Sequence, residues 1–213
     1  MQPKWYFDKF VRPYLRNKEI LSSKELLQID DFVRRLVPVA MKRTRFLNQL
    51  ERTVYNSFYN ATISEVAIEN YTGTKFIHWK IREESEQDMT DLYFLGLKMG
   101  IKTAEFGNIP LVYFPNRIVT PEIMTIFEPP NVVYVVGYAT VPMLKYYQSN
   151  EYVFGKVKDY KSGFWGFHKL HEFKTMDDLR NLYNNSQLNN YNDFHDTVKD
   201  YPSKDGIITF EEF

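Results

Sequence analysis

The hydrophobic period changes in the middle of this chain, and that change restricts the folds open to it. Up to about residue 73, apolar side chains recur every three or four positions, the stripe of amphipathic helices; beyond it, short apolar runs alternate at every second position, as in strands. In the helical part Ser22 and Glu25 make a Ser-x-x-Glu capping box ahead of Leu26, Ile29, Phe32, Val33 and Leu36. Pro38 is expected to close that helix. A second stripe of Phe46, Leu47, Leu50, Val54 and Phe58 spans residues 40–60, residues 62–71 extend or restart it, and Gly73 is its natural stop.

The remainder predicts a sheet. Residues 75–82 form a strand candidate and residues 83–88 an acidic loop. Residues 91–95 and 97–104 read as two strands turned at Leu95-Gly96, with Leu97, Met99 and Ile101 on one face and Lys98, Gly100 and Lys102 on the other. Residues 109–114 make a short strand, and Thr120-Pro121-Glu122 has the cap, proline and acid of a helix start. Residues 132–138 read as a buried central strand, and Thr140 opens a helix. Residues 152–160 and 163–167 read as edge strands, Thr175 caps another helix, and the Asn-rich residues 184–192 form a loop. The 213 residues suffice for one core, and no linker or repeat divides them. The expected fold class is α/β (α+β): a single domain over 1–213, with a helical N-terminal part (1–73) packed on a central mixed sheet (74–173) and a C-terminal helix and tail (174–213).

Composition excludes several function classes. Lys and Arg together number 27 and so do Asp and Glu, so no overall positive field advertises a polyanionic partner. Without cysteine there is no disulfide framework, thiol catalysis or thiolate metal site, which fits an intracellular chain. The apolar runs are strand-sized, so no membrane partner is expected. Gly-rich phosphate loops, GxSxG elbows and Rossmann glycines are absent from the sequence.

One constellation suggests chemistry. The turn at Leu95-Gly96 would return the chain so that Asp91 comes near Gly100 and Lys102. A carboxylate at one strand start and a lysine on its neighbour are the ingredients of phosphodiester hydrolysis: acids hold Mg²⁺ through oxygen, the ion polarises the phosphate, and the lysine stabilises charge. Thr90-Asp91, residues 92–94, the turn, and Gly100-Ile101-Lys102-Thr103 resemble the PD-(D/E)XK nuclease superfamily, the restriction-endonuclease-like fold. The resemblance covers roughly residues 60–150: Ser64-Glu65 through Glu69 looks like the family's glutamate-bearing helix, and residues 132–137 with the following helix look like its continuation.

The resemblance implies a Mg²⁺- (or Mn²⁺-) dependent endodeoxyribonuclease acting on DNA, for which a homodimer is a common assembly. Asp91, Glu65 and Lys102 become the catalytic residues, and Asp91, Glu65 and the Ile101 carbonyl the metal ligands. Lys98 becomes a helper on the strand face. Two positions depart from the family. Thr90 replaces a proline that has no chemical role, and Gly100 replaces the second acid, so a carboxylate must be borrowed from Glu65, Glu69 or Glu105. The rival expectation is a binding or assembly protein, either a nuclease fold that has lost its acid or an unrelated module.

Weaker signals complete the reading. Lys42, Arg43 and Arg45, with Arg52 and with Arg34 and Arg35 nearby, offer a phosphate-contacting surface or a plain solvated helix face. His168 and His171 with Glu172 lack the further ligands of a zinc site. Residues 201–213 imitate a calcium loop in the wrong register and read instead as a turn followed by a strand. The rings of residues 163–167 could stack bases or pack against the sheet.

Overall fold

The computed structural model describes residues 4–42, 49–81, 91–113, 115–149, 161–188, 200–203 and 206–209. Helix α1 (Lys4–Phe10) leads into strand β1 (Lys18–Ile20) and helix α2 (Ser23–Ala40). The predicted capping box is present: the Ser22 hydroxyl accepts from Glu25 N–H while the Glu25 carboxylate accepts from Ser22 N–H. Pro38 does not end α2. It lies in the last turn, where few hydrogen bonds remain to be lost, and the helix runs on to Ala40, which is fully buried. Helix α3 (Glu51–Thr72) is continuous, so residues 62–71 extend it rather than restart it. Gly73 ends it with φ of 68°, a left-handed conformation that glycine adopts without a Cβ penalty.

The strands that follow are β2 (Gly100–Glu105), β3 (Leu111–Tyr113), β4 (Glu122–Glu128) and β5 (Val132–Ala139). Helix α4 (Val141–Tyr146), strands β6 (Gln148–Ser149) and β7 (Lys161–Phe164), and helix α5 (Met176–Leu188) come next. An antiparallel pair of β8 (Asp200–Ser203) and β9 (Gly206–Thr209) closes the described chain, a strand being expected there. The main sheet has the order β1-β5-β4-β2, antiparallel except for the parallel pair β2–β4, and a second sheet has the order β3-β7-β6. The protein is thus a mixed α+β structure, with β5 central as its valine run implies.

The main sheet is covered on both faces. On one, Ile123, Phe127, Val133 and Val135 meet Ile29 and Val33 of α2 and Ile63 and Val66 of α3. On the other, Met124, Ile126 and Val136 meet Phe7 and Phe10 of α1, Tyr147 and Trp165. A bulge at Val136, where the register slips between Met124 and Thr125, helps both faces receive an apolar residue. A buried polar contact joins α3 to the sheet: the Ser64 hydroxyl lies 2.9 Å from both Thr103 Oγ1 and Thr125 Oγ1.

Several sequence expectations give way to tertiary forces. Residues 75–81 are extended but not a strand, because the Phe76 and Ile77 N–H groups donate to the Glu69 carboxylate instead of to a ladder. Residues 91–95 are a turn and a 3-10 segment (Tyr93–Leu95), with Gly96 at φ 77° and only Leu92 buried, and the following strand begins at Gly100 rather than residue 97. Thr120-Pro121-Glu122 opens β4, not a helix, because the next residues must alternate between the two cores. Strand β7 is the middle of its sheet and gives way to a 3-10 turn at Gly166–Lys169, where Phe164, Trp165 and Phe167 are buried rather than presented for stacking. Helix α5 continues through Asn184 and Asn185 to Leu188, whereas Thr140 and Thr175 cap their helices as read from sequence. The candidate loop 83–88 and strand 152–160 lie outside the described residues.

Candidate functional site

Strand β2 is the last strand of its sheet among the described residues, and its outer edge shapes the site. Gly100 N–H donates to Pro121 C=O and Phe106 N–H to Phe127 C=O, so alternate peptides face β4. The peptides between them, at Ile101, Thr103 and Glu105, therefore face outward. Asp91 occupies this edge: its Oδ2 accepts from Ile101 N–H at 2.6 Å. The sequence expectation that Asp91 returns to Gly100 and Lys102 is met, although by a turn and a 3-10 segment instead of a hairpin.

Side chains along β2 alternate. Thr103 meets Ser64 of α3, while Lys102, on the opposite face, reaches Glu122 and the ring of Tyr113. The parallel register sets Gly100 directly beside Glu122. A Cβ placed on Gly100 would lie 3.6 Å from Asp91 Oδ2 and 3.9 Å from Glu122 Cγ, so two carboxyl side chains border that position. Glu122 Oε1 is 4.0 Å from Lys102 Nζ, at the limit of an ion pair, with the two side chains 16% and 21% exposed. Glu122 Oε2 is buried and has no hydrogen-bond partner among the described residues. Burial pushes the Glu122 carboxyl above the usual range; Lys102 and, more weakly, Lys161 oppose this, while Asp91 reinforces it.

Beside this cluster a cavity of about 520 Å³ opens along the β2 edge. Ser57 and Asn60 of α3 form one wall, residues 108–111 and Lys161 the other, and residues 101–105 the floor.

The predicted residues are distributed as follows. Asp91, Ile101 and Lys102 are brought together. Glu65 is half-buried on α3; Asn60 bonds Glu105 and Ser64 bonds Thr103, so α3 runs along the face of β2 away from Lys102. Among the described residues no group of three acidic, histidine or cysteine side chains is gathered for a metal, so Glu65, Asp91 and Glu122 do not form one cluster. Glu69 is committed elsewhere, to Phe76, Ile77 and Lys75, and Glu105 accepts from Asn60. Lys98 is exposed in the segment before β2 and is not part of the strand face that carries Lys102.

Lys42 is exposed just past α2, and Arg43 and Arg45 lie outside the described residues. Arg34 and Arg35 pair with Asp30 and Asp31 one turn back, which favours the solvated-face reading for them. His168 is enclosed by Trp165, Tyr147 and Tyr14.

Glu122 and Lys161 escaped the sequence reading. The short apolar, β-prone run Glu122-Ile-Met-Thr-Ile-Phe could have exposed Glu122 as a strand residue, but the Thr-Pro-Glu signal masked it. Lys161 approaches from the second sheet, and no local pattern signals that contact. No protein-family model, curated protein or solved structure matches the chain.

Proposed function

We propose that the chain is a divalent-cation-dependent nuclease of restriction-endonuclease-like fold that hydrolyses phosphodiester bonds in DNA, with Glu122 supplying the acid that Gly100 lacks. The observation that carries this reading is the Glu122 carboxylate itself. It borders the vacant Cβ position beside Asp91, with one oxygen withdrawn from water and without a partner among the described residues. Leaving such an atom unsatisfied costs about 1–3 kcal/mol, a cost that fits a ligand-binding role better than a structural one.

The donor set suits Mg²⁺ or Mn²⁺: two carboxylates and the outward-facing Ile101 carbonyl are hard oxygen ligands, and such ions keep several waters. When bound, the ion would polarise the phosphate and acidify a water. The chain's own groups do the positioning. Ile101 N–H fixes Asp91, the β2–β4 register fixes Glu122, and Lys102 supplies positive charge beside both. Glu65, on the α3 side of β2, is the remaining acid carried over from the resemblance.

The test is cleavage of labelled duplex DNA in Mg²⁺ or Mn²⁺, with EDTA as control. Asp91→Asn, Glu122→Gln and Lys102→Ala are each expected to slow it by about a hundredfold or more while the protein stays folded. Loss in Glu65→Gln with retention in Glu122→Gln would assign the second acid to α3 instead. Absence of cleavage with either ion would leave the binding or assembly reading.

A further inference from the structure

We propose that Lys102 and Lys161 together form a phosphate subsite at the groove beside β2, gripping one phosphodiester of a duplex backbone. The subsite deepens the nuclease reading and rests on it for the identity of the strand, but its chemistry stands on separate observations. Tyr113 and Lys161 are direct partners across β3 and β7, which sets Lys161 Nζ 5.2 Å from the Tyr113 ring centroid. Lys102, from the other sheet, places its Nζ 5.7 Å from the same centroid. Two ammonium groups from different sheets thus converge on one ring that is 41% exposed, and both line the cavity.

Beyond the lysines the groove carries further donors, beside the Glu105 carboxylate, which accepts from Asn60. Its far wall offers the neutral hydroxyl and amide of Ser57 and Asn60, and its floor turns the Thr103 N–H outward beside Lys102. Backbone N–H groups, hydroxyls, amides and lysines are the donors that contact phosphates without reading sequence. Among the described residues lining the cavity none is aromatic, and single-strand binders depend on rings to stack bases. A duplex, with its bases turned inward, asks only for backbone contacts.

The experiment is fluorescence anisotropy of a labelled duplex against the full chain in EDTA, across a salt series, with circular dichroism melts to verify folding. Lys161→Gln is expected to weaken binding equally on two unrelated sequences. It should also lower the log–log salt slope by about 0.9, the value for one lost duplex phosphate contact, whereas Lys161→Arg keeps the slope. An unchanged slope in folded Lys161→Gln, tighter binding of single strands than duplex, or no binding by the wild type would overturn the subsite. The two proposals fail separately. A wild type that binds with the expected slope changes but never cleaves removes the nuclease and keeps the subsite. One that cleaves while Lys161→Gln keeps its slope does the reverse.

Discussion

Glu69 and Glu122 are both glutamates drawn away from solvent, one on α3 and one at the head of β4, and their surroundings differ sharply. Glu69 is 3% exposed; Oε1 accepts from Phe76 N–H and Ile77 N–H at 2.6 and 2.7 Å, and Oε2 pairs with Lys75 Nζ at 2.9 Å. Glu122 has a lysine at 4.0 Å on one oxygen and no partner among the described residues on the other. The first carboxylate takes up the amides that residues 75–77 would otherwise have to pair in a sheet. The second contributes nothing comparable to the fold, and its desolvation works against it. A buried acid with every oxygen occupied reads as architecture; one with an oxygen that has no partner among the described residues, beside a second acid and two lysines, fits the proposed site.

The largest expected effect separates the two by activity. Glu122→Gln should lower DNA cleavage by about a hundredfold, equivalent to about 2.7 kcal/mol of transition-state stabilisation, while Glu69→Gln leaves the rate per folded molecule near that of the wild type. Chemical denaturation should then invert the order. Glu69→Ala strands two amides and Lys75 and is expected to cost about 3 kcal/mol, whereas Glu122→Gln is neutral or stabilising near pH 7 in EDTA. Equal losses of stability in both variants would erase the distinction.

A smaller effect tests whether burial alone, without a site, produces a titration signature. Burial lowers the His168 pKa from 6.5 to about 4, with Lys169 adding to the shift. The native state therefore resists the proton that the unfolded chain accepts, so stability is full above pH 6.5 and declines as pH falls toward about 4. His168→Phe, which keeps a ring against Trp165 and Tyr147, should flatten the pH dependence of unfolding within that window and leave duplex binding unchanged. Persistence of the full decline in the variant would show that other groups produce it.

How much of this was legible beforehand depended on how local each signal was. The Ser22–Glu25 box, Gly73, the caps at Thr140 and Thr175 and the valines of β5 are each written within a few residues, and each appears as read. The approach of Asp91 to Gly100 was also local, because the intervening segment is too short to stray far. What failed was decided at a distance. Thr-Pro-Glu reads as a helix start until Ile123 and Met124 are assigned to opposite cores, which only the assembled layers dictate. Residues 75–81 lose their strand to a carboxylate on the preceding helix. Lys102 and Lys161 reach the same Tyr113 ring from different sheets, and no spacing in the chain announces that.

The proposed role of Glu122 as the acid that Gly100 does not supply is most directly tested by calorimetric titration of Mn²⁺ into the wild type, Glu122→Gln and the double variant Gly100→Asp/Glu122→Gln. The vacant position admits a Cβ at ordinary contact distances of 3.6 and 3.9 Å, so a carboxylate introduced there would stand beside Asp91. The account predicts binding by the wild type, loss in Glu122→Gln and recovery in the double variant. Indistinguishable Mn²⁺ binding by the wild type and Glu122→Gln would contradict it.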